Sequence, residues 1–303
     1  MKFGVVEIGS TNTKAYIYHD GELISKGSKY IALKTNYERE NRLCDDDVDV
    51  LFSFIREIKM ETADIFAYGT SIFRKMPKNE CNEFADRLKD ELNVEFKVVT
   101  ADDEANYTVQ GVIAGIKKDC GFDKKLAVVI GGGGSTEIAI TNGNEITKRV
   151  NLDFGAMDIT KKFPELKGDV VETRFDVVLE YTKNLVGKLN ESADVLVLAG
   201  GNYIYYYENV PYKMEKNFLY ADKNQPYLLD FETLNNYDMD ILKKSLDEIK
   251  GRMIGNESWW DGARGMRFCM NAVARELGVR YIIPTRINMI FGIINEIKSR
   301  KER

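Results

Sequence analysis

The sequence predicts a two-lobe α/β protein, because the same strand–turn–strand pattern occurs twice along the chain. The first copy runs over Phe3–Tyr18 and the second over Val128–Ile140. In each copy an apolar, β-branched strand leads through a turn rich in Gly, Ser and Thr into a second strand. An Asp-Gly or Asn-Gly pair then starts a third strand, Glu22–Tyr30 or Glu145–Asn151. Repetition on this scale predicts two related lobes, each opening with a three-stranded meander whose first turn faces a shared cleft.

Strands and helices alternate through the rest of each lobe, as judged from short apolar runs and from apolar residues at helical spacing. For the first lobe we predict, after a polar loop at Asn36–Asp49, helix Val48–Lys59, strand Asp64–Tyr68, helix Asn79–Leu92, strand Glu95–Val99 and a helix from Thr100 to about Lys117. For the second lobe we predict helix Met157–Phe163, helix Asp169–Leu189, strand Ala193–Leu198, an irregular excursion at Asn209–Tyr227, helix Phe231–Gly251, a loop at Asn256–Arg264, helix Gly265–Leu277, strand Tyr281–Ile283 and helix Thr285–Arg303.

Length, composition and charge argue against several classes of protein. A chain of 303 residues suits two domains, and 44% hydrophobic with 30% charged residues is typical of globular proteins. A net charge of −5 argues against a nucleic-acid-binding surface, and no apolar run approaches the length of a membrane span. The four cysteines lack metal-ligand spacing and the one histidine, His19, lies in a predicted turn, so neither a zinc site nor histidine catalysis is expected. Scattered thiols and the absence of an export signal predict a cytoplasmic protein.

The turn of the second copy contains four consecutive glycines, Gly131–Gly134, followed by Ser135, Thr136 and Glu137. Without Cβ atoms, the backbone N–H groups of such a turn can converge on a phosphate chain, and the two hydroxyls add donors. A carboxylate beside it could hold a divalent cation. The alternative is a hairpin without a ligand, but a two-residue hairpin needs only one or two glycines.

Two other stretches place polar groups directly after predicted strands. Thr70 and Ser71, with Arg74 just beyond, lie where an anion would bind, although a solvated Arg74 fits the spacing equally well. Thr100 can cap the helix that follows it, with Asp103 completing a capping box. A carboxylate projecting from this first helical turn is also placed to orient an attacking water.

Four motifs in a fixed order give the chain a resemblance to a known family: Glu7-Ile8-Gly9-Ser10, Thr70-Ser71-Ile72-Phe73-Arg74, Asp102-Asp103-Glu104-Ala105 and Gly132-Gly133-Gly134-Ser135-Thr136-Glu137. The sequence resembles the Ppx/GppA family of exopolyphosphatases and guanosine pentaphosphate phosphohydrolases, in its short two-domain form. That family belongs to the superfamily of acetate and sugar kinases, heat-shock chaperones and actin. The resemblance implies an α/β fold with two ribonuclease-H-like (actin-like ATPase) lobes around a central cleft. We expect residues 1–119 and about 288–303 in the N-terminal lobe and residues 120–287 in the C-terminal lobe.

The resemblance also implies roles for the residues at the matching positions. Glu104 matches the catalytic glutamate, which acts as base toward the attacking water, and Glu7 and Glu137 match the acids near Mg²⁺. The implied substrate-binding residues are Ser10, Thr11, Asn12, Lys14, Arg74, Gly132, Gly133, Gly134, Ser135 and Thr136. The expected partner is polyphosphate or a guanosine polyphosphate, with no nucleic acid and no membrane, and a homodimer is the candidate assembly.

The chain departs from the family pattern at several positions. Glu7 stands where the first turn has Asp, and Lys14 replaces the usual arginine. The Asp of the second turn is missing: its place is taken by Ile130 when the Ser-Thr-Glu motifs are aligned, and by Val129 when the strands are aligned. Later in the chain, Gly-Gly-Asn202 stands for Gly-Gly-Thr, and Met289-Ile290-Phe291-Gly292 stands for Leu-Arg-Glu-Gly.

These departures leave two hypotheses. The leading one is a phosphoanhydride hydrolase of the exopolyphosphatase type, and the alternative is a degenerate member that binds phosphate or nucleotide without turnover. A kinase of the same superfamily is disfavoured because no aspartate base pairs with a sugar site. An iron–sulfur activator ATPase is disfavoured by the spacing of the cysteines.

Overall fold

The two ends of the chain belong to the same structural unit. The computed structural model describes residues 1–10, 12–70, 72–114, 125–143, 145–168, 174–204, 215–216, 227–245, 247–248 and 257–302. Unit 1 comprises Met1–Glu104 with Ile293–Arg303, and unit 2 comprises Ala105–Gly292. The divisions therefore lie at Glu104 and Gly292, where the sequence analysis placed them at residues 119 and about 287.

Unit 1 is built on a five-stranded sheet and on helices that cover it. Its strands are β1 (Lys2–Ile8), β2 (Asn12–His19), β3 (Glu22–Tyr30), β4 (Ile65–Gly69) and β5 (Glu95–Val98). Their order across the sheet is β3-β2-β1-β4-β5, with β1, β2 and β3 antiparallel and with β4 and β5 parallel to β1. The helices are α1 (Leu33–Glu40), α2 (Asp45–Lys59), α3 (Ile72–Lys75) and α4 (Lys78–Leu92).

Unit 2 contains a larger sheet. After α5 (Ala101–Ala114), which begins in unit 1, come the strands β6 (Leu126–Gly131), β7 (Thr136–Asn142), β8 (Glu145–Leu152), β9 (Val195–Ala199), β10 (Glu215–Lys216), β11 (Tyr227–Asp230) and β12 (Tyr281–Pro284). The sheet order is β10-β11-β12-β9-β6-β7-β8. The helices are α6 (Ala156–Lys162), a 3₁₀ helix Pro164–Lys167, α7 (Phe175–Val186), α8 (Phe231–Ile241) and α9 (Glu257–Leu277). The last helix, α10 (Met289–Lys301), begins in unit 2 and continues into unit 1 from Ile293. Across the described ranges, no helix is both long and apolar enough to cross a membrane.

The two sheets share one topology, which confirms the α/β fold with two ribonuclease-H-like lobes. The order β8-β7-β6-β9-β12 in unit 2 repeats β3-β2-β1-β4-β5 of unit 1, and β10 and β11 extend the second sheet. The antiparallel register agrees as well, since Glu7 pairs with Lys14 in unit 1 and Ile130 pairs with Glu137 in unit 2. In both pairs the partner lies seven residues later, so the first meander of each unit is the same structure built twice.

Each sheet is central to the core of its unit. In unit 1, alternate side chains of β1 and β2 pack against the apolar faces of α2 and α4. In unit 2, Ala127 and Val129 of β6 belong to one buried cluster, whereas Leu126 and Val128 belong to another. Because successive side chains of a strand point to opposite faces, both faces of this sheet are covered. The turns at the strand ends are therefore held by a rigid support.

Several predicted elements differ from those observed. The predicted loop Asn36–Asp49 includes part of α1, which Leu33 anchors in the core and Asn41 ends with a left-handed φ of 54°. The predicted loop Asn256–Arg264 is instead the start of α9, where Trp260 and Arg264 are buried. Helix α8 ends at Ile241, ten residues before the predicted Gly251. Parts of the predicted excursion Asn209–Tyr227 and of the predicted helices Thr100–Lys117 and Asp169–Leu189 lie outside the described residues.

Two glycines allow α5 to pack closely against the start of α10. A Cβ at Gly292 would lie 2.2 Å from the carbonyl oxygen of Tyr107, and a Cβ at Gly111 would lie 2.8 Å from the Cβ of Phe291. No side chain fits at such distances, so both positions require glycine. In this chain the final glycine of the Met289–Gly292 segment therefore has a packing role that is independent of the missing charged pair.

Candidate active site

The polar candidates of unit 1 lie at the carboxyl ends of three neighbouring parallel strands. Ile8 at the end of β1 pairs with Gly69 of β4, and Gly69 pairs with Val98 of β5. The segments that follow these strands carry the first turn, α3 with Arg74, and α5 with Glu104. In α/β sheets, ligands bind at this edge.

The first turn is closed by a hydrogen bond in which the N–H of Gly9 donates to the carbonyl of Asn12 over 3.0 Å. A Cβ at Gly9 would lie 2.8 Å from that same oxygen, so the turn requires glycine here. Ser10 is half-buried and its carbonyl accepts from the N–H of Lys34 at 2.9 Å, which fixes the turn to the start of α1. Asn12 is exposed, and Thr11 lies outside the described residues.

A carboxylate and an ammonium group lie opposite each other just before this turn. Glu7 on β1 and Lys14 on β2 are cross-strand partners, and both are half-buried. The negative charge of Glu7 is the main reason why the pKa of Lys14 is raised, although burial acts in the opposite direction. Oε2 of Glu7 is buried and has no hydrogen-bond partner among the described residues. This orphaned oxygen is one that a cation would satisfy.

The candidate base is held by an arginine. Glu104 lies in the first turn of α5, and its N–H donates to the carbonyl of Thr100 at 2.9 Å. The hydroxyl of Thr100 accepts from the N–H of Asp103 at 3.0 Å, so the predicted cap is present. Nη1 of Arg74 donates to Oε2 of Glu104 at 2.7 Å and to the carbonyl of Val99 at 3.2 Å. Two motifs that are 30 residues apart therefore meet at one carboxylate.

The surroundings of Glu104 change its acidity. Burial is the largest influence and raises the pKa of Glu104 above the usual glutamate value, because a low-dielectric environment disfavours the charged form. The hydrogen bond and the charge of Arg74 lower that pKa, the charge of Glu7 raises it and the charge of Lys14 lowers it. Glu104 is thus a more basic carboxylate than a solvated one, which suits proton abstraction from water.

The glycine-rich turn of unit 2 connects β6 to β7. It is closed by the N–H of Gly132, which donates to the carbonyl of Ser135 at 2.9 Å, as the N–H of Gly9 does in unit 1. Gly132, Gly133 and Gly134 are exposed, and none of them has the left-handed φ that only glycine tolerates well. Among the described residues, a Cβ at Gly134 would meet nothing within 4 Å, whereas a Cβ at Gly133 would lie 3.2 Å from Cγ of Met157. Packing therefore gives a reason for glycine at position 133 but not at position 134, where the exposed backbone leaves room for the predicted anion.

The start of α6 supports this turn. The N–H groups of Ala156 and Met157 donate to the carbonyls of Gly132 and Gly133 at 3.1 and 2.8 Å. Gly155 packs so closely that a Cβ there would lie 2.5 Å from the carbonyl oxygen of Gly132. Local sequence signals do not predict this contact, since the two segments are about twenty residues apart.

The polar residues after the glycines are placed differently from one another. The hydroxyl of Ser135 donates to Oε1 of Glu137 at 2.9 Å, and both residues are half-buried. Thr136 is buried, and its hydroxyl donates to the carbonyl of Phe154 at 3.0 Å. The Thr136 hydroxyl is therefore used to join the turn to the segment before α6, while Ser135 and Glu137 form the accessible polar pair.

The candidates thus form two groups. Unit 1 brings together Glu7, Ser10, Asn12, Lys14, Arg74 and Glu104, and unit 2 brings together Gly132, Gly133, Gly134, Ser135, Thr136 and Glu137.

In a third segment of unit 2, Gly200 and Gly201 have φ of 93° and 89°, and their N–H groups donate to the carbonyls of Ile287 and Thr285. This Gly-Gly pair is required by the backbone path beside β12, which is a structural reason for it.

The carboxylate of Glu7 has the chemistry of a magnesium ligand. Within the described part of the chain, no group of three or more His, Cys, Asp or Glu residues could form a dedicated metal cage. Mg²⁺, however, is usually bound through one or two carboxylates, with waters and phosphate oxygens completing its shell. Oε2 of Glu7, which is buried and has no partner in the described part of the chain, is suited to such a site.

Comparison with known proteins supports the family resemblance. Residues 21–227 match the sequence profile of the Ppx/GppA phosphatase family. A bifunctional 3-dehydroquinate synthase/phosphatase of Fusobacterium nucleatum is 28% identical over 153 residues, which are 50% of this chain and 22% of that protein. The chain therefore matches about a fifth of this curated relative.

Solved structures show the same fold. A Ppx/GppA family member of Aquifex aeolicus superimposes with a TM-score of 0.79 at 19% identity, covering 100% of this chain and 99% of the other. An exopolyphosphatase of Cytophaga hutchinsonii gives a TM-score of 0.75 at 19% identity, covering 98% and 97%. At these identities the likeness establishes the fold, and the chemistry has to be argued from the residues of this chain.

Proposed function

The chain belongs to the Ppx/GppA phosphatase family, and on this premise we propose that it hydrolyses the terminal phosphoanhydride bond of polyphosphate or of guanosine pentaphosphate. The observation that carries the proposal is the setting of Glu104. Its carboxylate is half-buried, its pKa is raised by burial, and Arg74 holds it at 2.7 Å beside a turn suited to phosphate. These features support a general base beside phosphate-binding groups in unit 1.

In the proposed reaction, Glu104 accepts a proton from water while the water oxygen attacks the terminal phosphorus. The bond from this phosphorus to the bridging oxygen breaks, and the shortened polyphosphate leaves with the bonding electrons. Lys14 and Arg74 provide positive charge for phosphate oxygens, and the backbone of the first turn provides N–H donors.

We further propose that Mg²⁺ takes part, with Glu7 as the carboxylate that would hold it in unit 1. In unit 2, taken by itself, the candidate acid is Glu137. When bound, the ion would neutralise charge on the substrate phosphates. Support for Glu7 comes from its buried Oε2, which has no hydrogen-bond partner among the described residues. Glu137 already accepts a hydrogen bond from Ser135, so binding a cation would draw on its remaining acceptor positions.

A second candidate function is binding of a phosphate compound or nucleotide without turnover. The specific observation in its favour is Ile130. Its register opposite Glu137 matches that of Glu7 opposite Lys14, so an apolar side chain takes the place of an acid in unit 2. Loss of one carboxylate weakens cation binding while the phosphate-binding backbone stays intact.

The experiment that separates these functions measures phosphate release from long-chain polyphosphate and from guanosine pentaphosphate, each with Mg²⁺ and with EDTA. Wild type is compared with Glu104→Gln and with the control Asp102→Asn, which removes an exposed acid from the same helical turn. We expect Glu104→Gln to lower turnover by at least about 100-fold, in line with the loss of a general base, and Asp102→Asn to change it by less than about twofold.

Unchanged turnover in Glu104→Gln would overturn the hydrolase mechanism. If wild type releases no phosphate but a phosphate compound raises its melting temperature, the binding function is supported instead. Comparison of the two substrates identifies the class that the site prefers.

A further inference from the structure

We propose that Arg74 couples bound phosphate to the candidate base: one side of its guanidinium holds the carboxylate of Glu104, and the other side binds a phosphoryl oxygen of the substrate. The inference rests on the proposed function and deepens it, because it makes Arg74 a residue that acts on Glu104 as well as on substrate. Three observations support it, namely the rigid placement of Arg74, the side of the guanidinium that is already used, and the charges around Glu104.

Helix α3 gives Arg74 a fixed position. The ring of Phe73, next to Arg74, is buried and lies 5.1 Å from the rings of both Phe84 and Phe96. Gly69, just before α3, has no room for a side chain, since a Cβ there would lie 2.5 Å from the Phe96 ring. The backbone that carries Arg74 is therefore locked against the core of unit 1, and its side chain starts from a defined point.

The hydrogen bonds of Arg74 involve only one side of its guanidinium. Nη1 donates both to Oε2 of Glu104 at 2.7 Å and to the carbonyl of Val99 at 3.2 Å. Among the described residues, Nε and Nη2 donate no hydrogen bond. About a quarter of the Arg74 side chain is exposed (26%), so a ligand can reach it. The remaining N–H groups form the fork that binds phosphate oxygens in a bidentate manner.

The charges explain what this arrangement does. Without Arg74, burial and the neighbouring Glu7 would favour a protonated Glu104, which cannot act as a base. Arg74 opposes this effect, because its hydrogen bond and its charge lower the pKa of Glu104. When a phosphate oxygen binds the other side, its negative charge offsets part of the guanidinium charge. Glu104 then becomes more basic at the time when a proton must be taken from water.

Arg74 would thus be a positioning residue for Glu104 in addition to a phosphate ligand. The proton balance is that of the proposed reaction: water loses one proton to Glu104, a P–O bond forms to the water oxygen, and the P–O bond to the leaving phosphate breaks. Arg74 keeps its own protons throughout.

The first test is chemical rescue of Arg74→Ala. We expect the turnover of this variant to be at least about 100-fold lower than that of wild type. Guanidinium ion in solution should then raise the turnover of the variant at least about tenfold. Methylammonium, which has the same charge but lacks the fork, should restore less than about twofold. Arg74→Lys should stay close to Arg74→Ala for the same reason. Arg56→Ala, which removes an exposed arginine on α2, is the matched control and should need no rescue.

Turnover of Arg74→Lys within about threefold of wild type would overturn the proposal, because a single point charge would then suffice. Equal rescue by methylammonium and guanidinium would overturn it as well. The pH dependence of turnover gives a readout that a purely structural role would not move: in Arg74→Lys the acidic limb should shift to higher pH.

A second test does not depend on hydrolysis, so it distinguishes failure of this inference from failure of the proposed function. Binding of inorganic phosphate is measured by calorimetry for wild type, Arg74→Ala, Glu104→Gln and the double variant. If Arg74 joins the two groups, the effect of Glu104→Gln on phosphate affinity should differ at least about threefold between the two backgrounds. An equal effect in both backgrounds, or no phosphate binding by wild type, would overturn the coupling.

Discussion

Ile130 occupies in unit 2 the position that Glu7 occupies in unit 1. Each is the last residue but one of the first strand, each pairs across the meander with the residue seven positions later, and each precedes a turn closed by the same hydrogen bond. Alignment of the sequence alone leaves Ile130 and Val129 as alternatives. The register selects Ile130, because Val129 pairs with Ile138 and is buried in the core.

Substitution of Ile130 by Asp should place an acid at the unit 2 position that is equivalent to Glu7. Since Ile130 is half-buried, we expect a loss of unfolding free energy of about 1–3 kcal/mol. If the missing acid limits turnover, Mg²⁺-dependent phosphate release should rise about tenfold, which corresponds to about 1.4 kcal/mol of the barrier. Melting temperature and phosphate release are the two measurements.

Val129→Asp is the control for this substitution. Val129 is fully enclosed, so an aspartate there should be far more destabilising than one at position 130 and should not increase activity. Equal tolerance of Asp at both positions would contradict the equivalence of Ile130 and Glu7.

Removal of the Glu7 charge should weaken Mg²⁺ binding to unit 1. We expect Mg²⁺ at about 100 times its dissociation constant to stabilise wild type by about 2.7 kcal/mol and Glu7→Gln by much less, because the amide replaces the orphaned carboxylate oxygen. Thermal unfolding with Mg²⁺ and with EDTA measures this difference without any substrate. Glu22→Gln, an exposed acid on β3, is the control. The same Mg²⁺ effect in Glu7→Gln as in wild type would rule out Glu7 as the ligand.

The meanders and their turns were predictable because their signals are local. Alternation of apolar and polar residues, an Asp-Gly pair and a run of glycines each determine structure within a few residues. The strands and turns that these signals predict are present in the structure at those positions. The start of α9 is not predictable from local signals, because Gly262 is a poor helix former and Trp260 only a moderate one. Burial of Trp260, Ala263 and Arg264 supports the helix there.

Contacts between distant segments were beyond the reach of the sequence. Nothing local indicates that Arg74 reaches Glu104, or that the Thr136 hydroxyl turns inward to Phe154. The pairing of Glu7 with Lys14 is partly predictable from the sequence, since it follows from the register of a hairpin. The sequence therefore indicates which residues are candidates. Which of them contact one another, and which are used for packing, is known only from the folded structure.

Because its pKa is raised, Glu104 should contribute less to the free energy of unfolding at neutral pH than in mild acid. The folded state binds the Glu104 proton more tightly than the unfolded state, so the contribution is fully present below the unfolded pKa, near 4.5, and is lost as pH rises through the folded pKa. A tenfold difference in proton affinity between the two states corresponds to about 1.4 kcal/mol.

Glu104→Gln removes this titration. We expect the variant to gain stability relative to wild type as pH increases from about 4 to 8, and the two proteins to be most alike at the acidic end. Unfolding by urea at several pH values measures the difference. A stability difference that does not vary with pH would show that the carboxyl group of Glu104 is not perturbed by folding.

Gly134 and Gly155 should separate ligand binding from support of the glycine-rich turn. A methyl group at Gly134 meets no atom within 4 Å, so Gly134→Ala should change the unfolding free energy by less than about 0.5 kcal/mol. At Gly155 the methyl would lie 2.5 Å from the Gly132 carbonyl oxygen, and Gly155→Ala should cost about 1–3 kcal/mol.

If the exposed backbone binds phosphate, Gly134→Ala should weaken phosphate binding without destabilising the fold, because the added methyl occupies the open space above the turn. Calorimetry with inorganic phosphate and urea unfolding of both variants measure the two effects. Unaltered phosphate affinity in Gly134→Ala would assign phosphate binding to unit 1 alone.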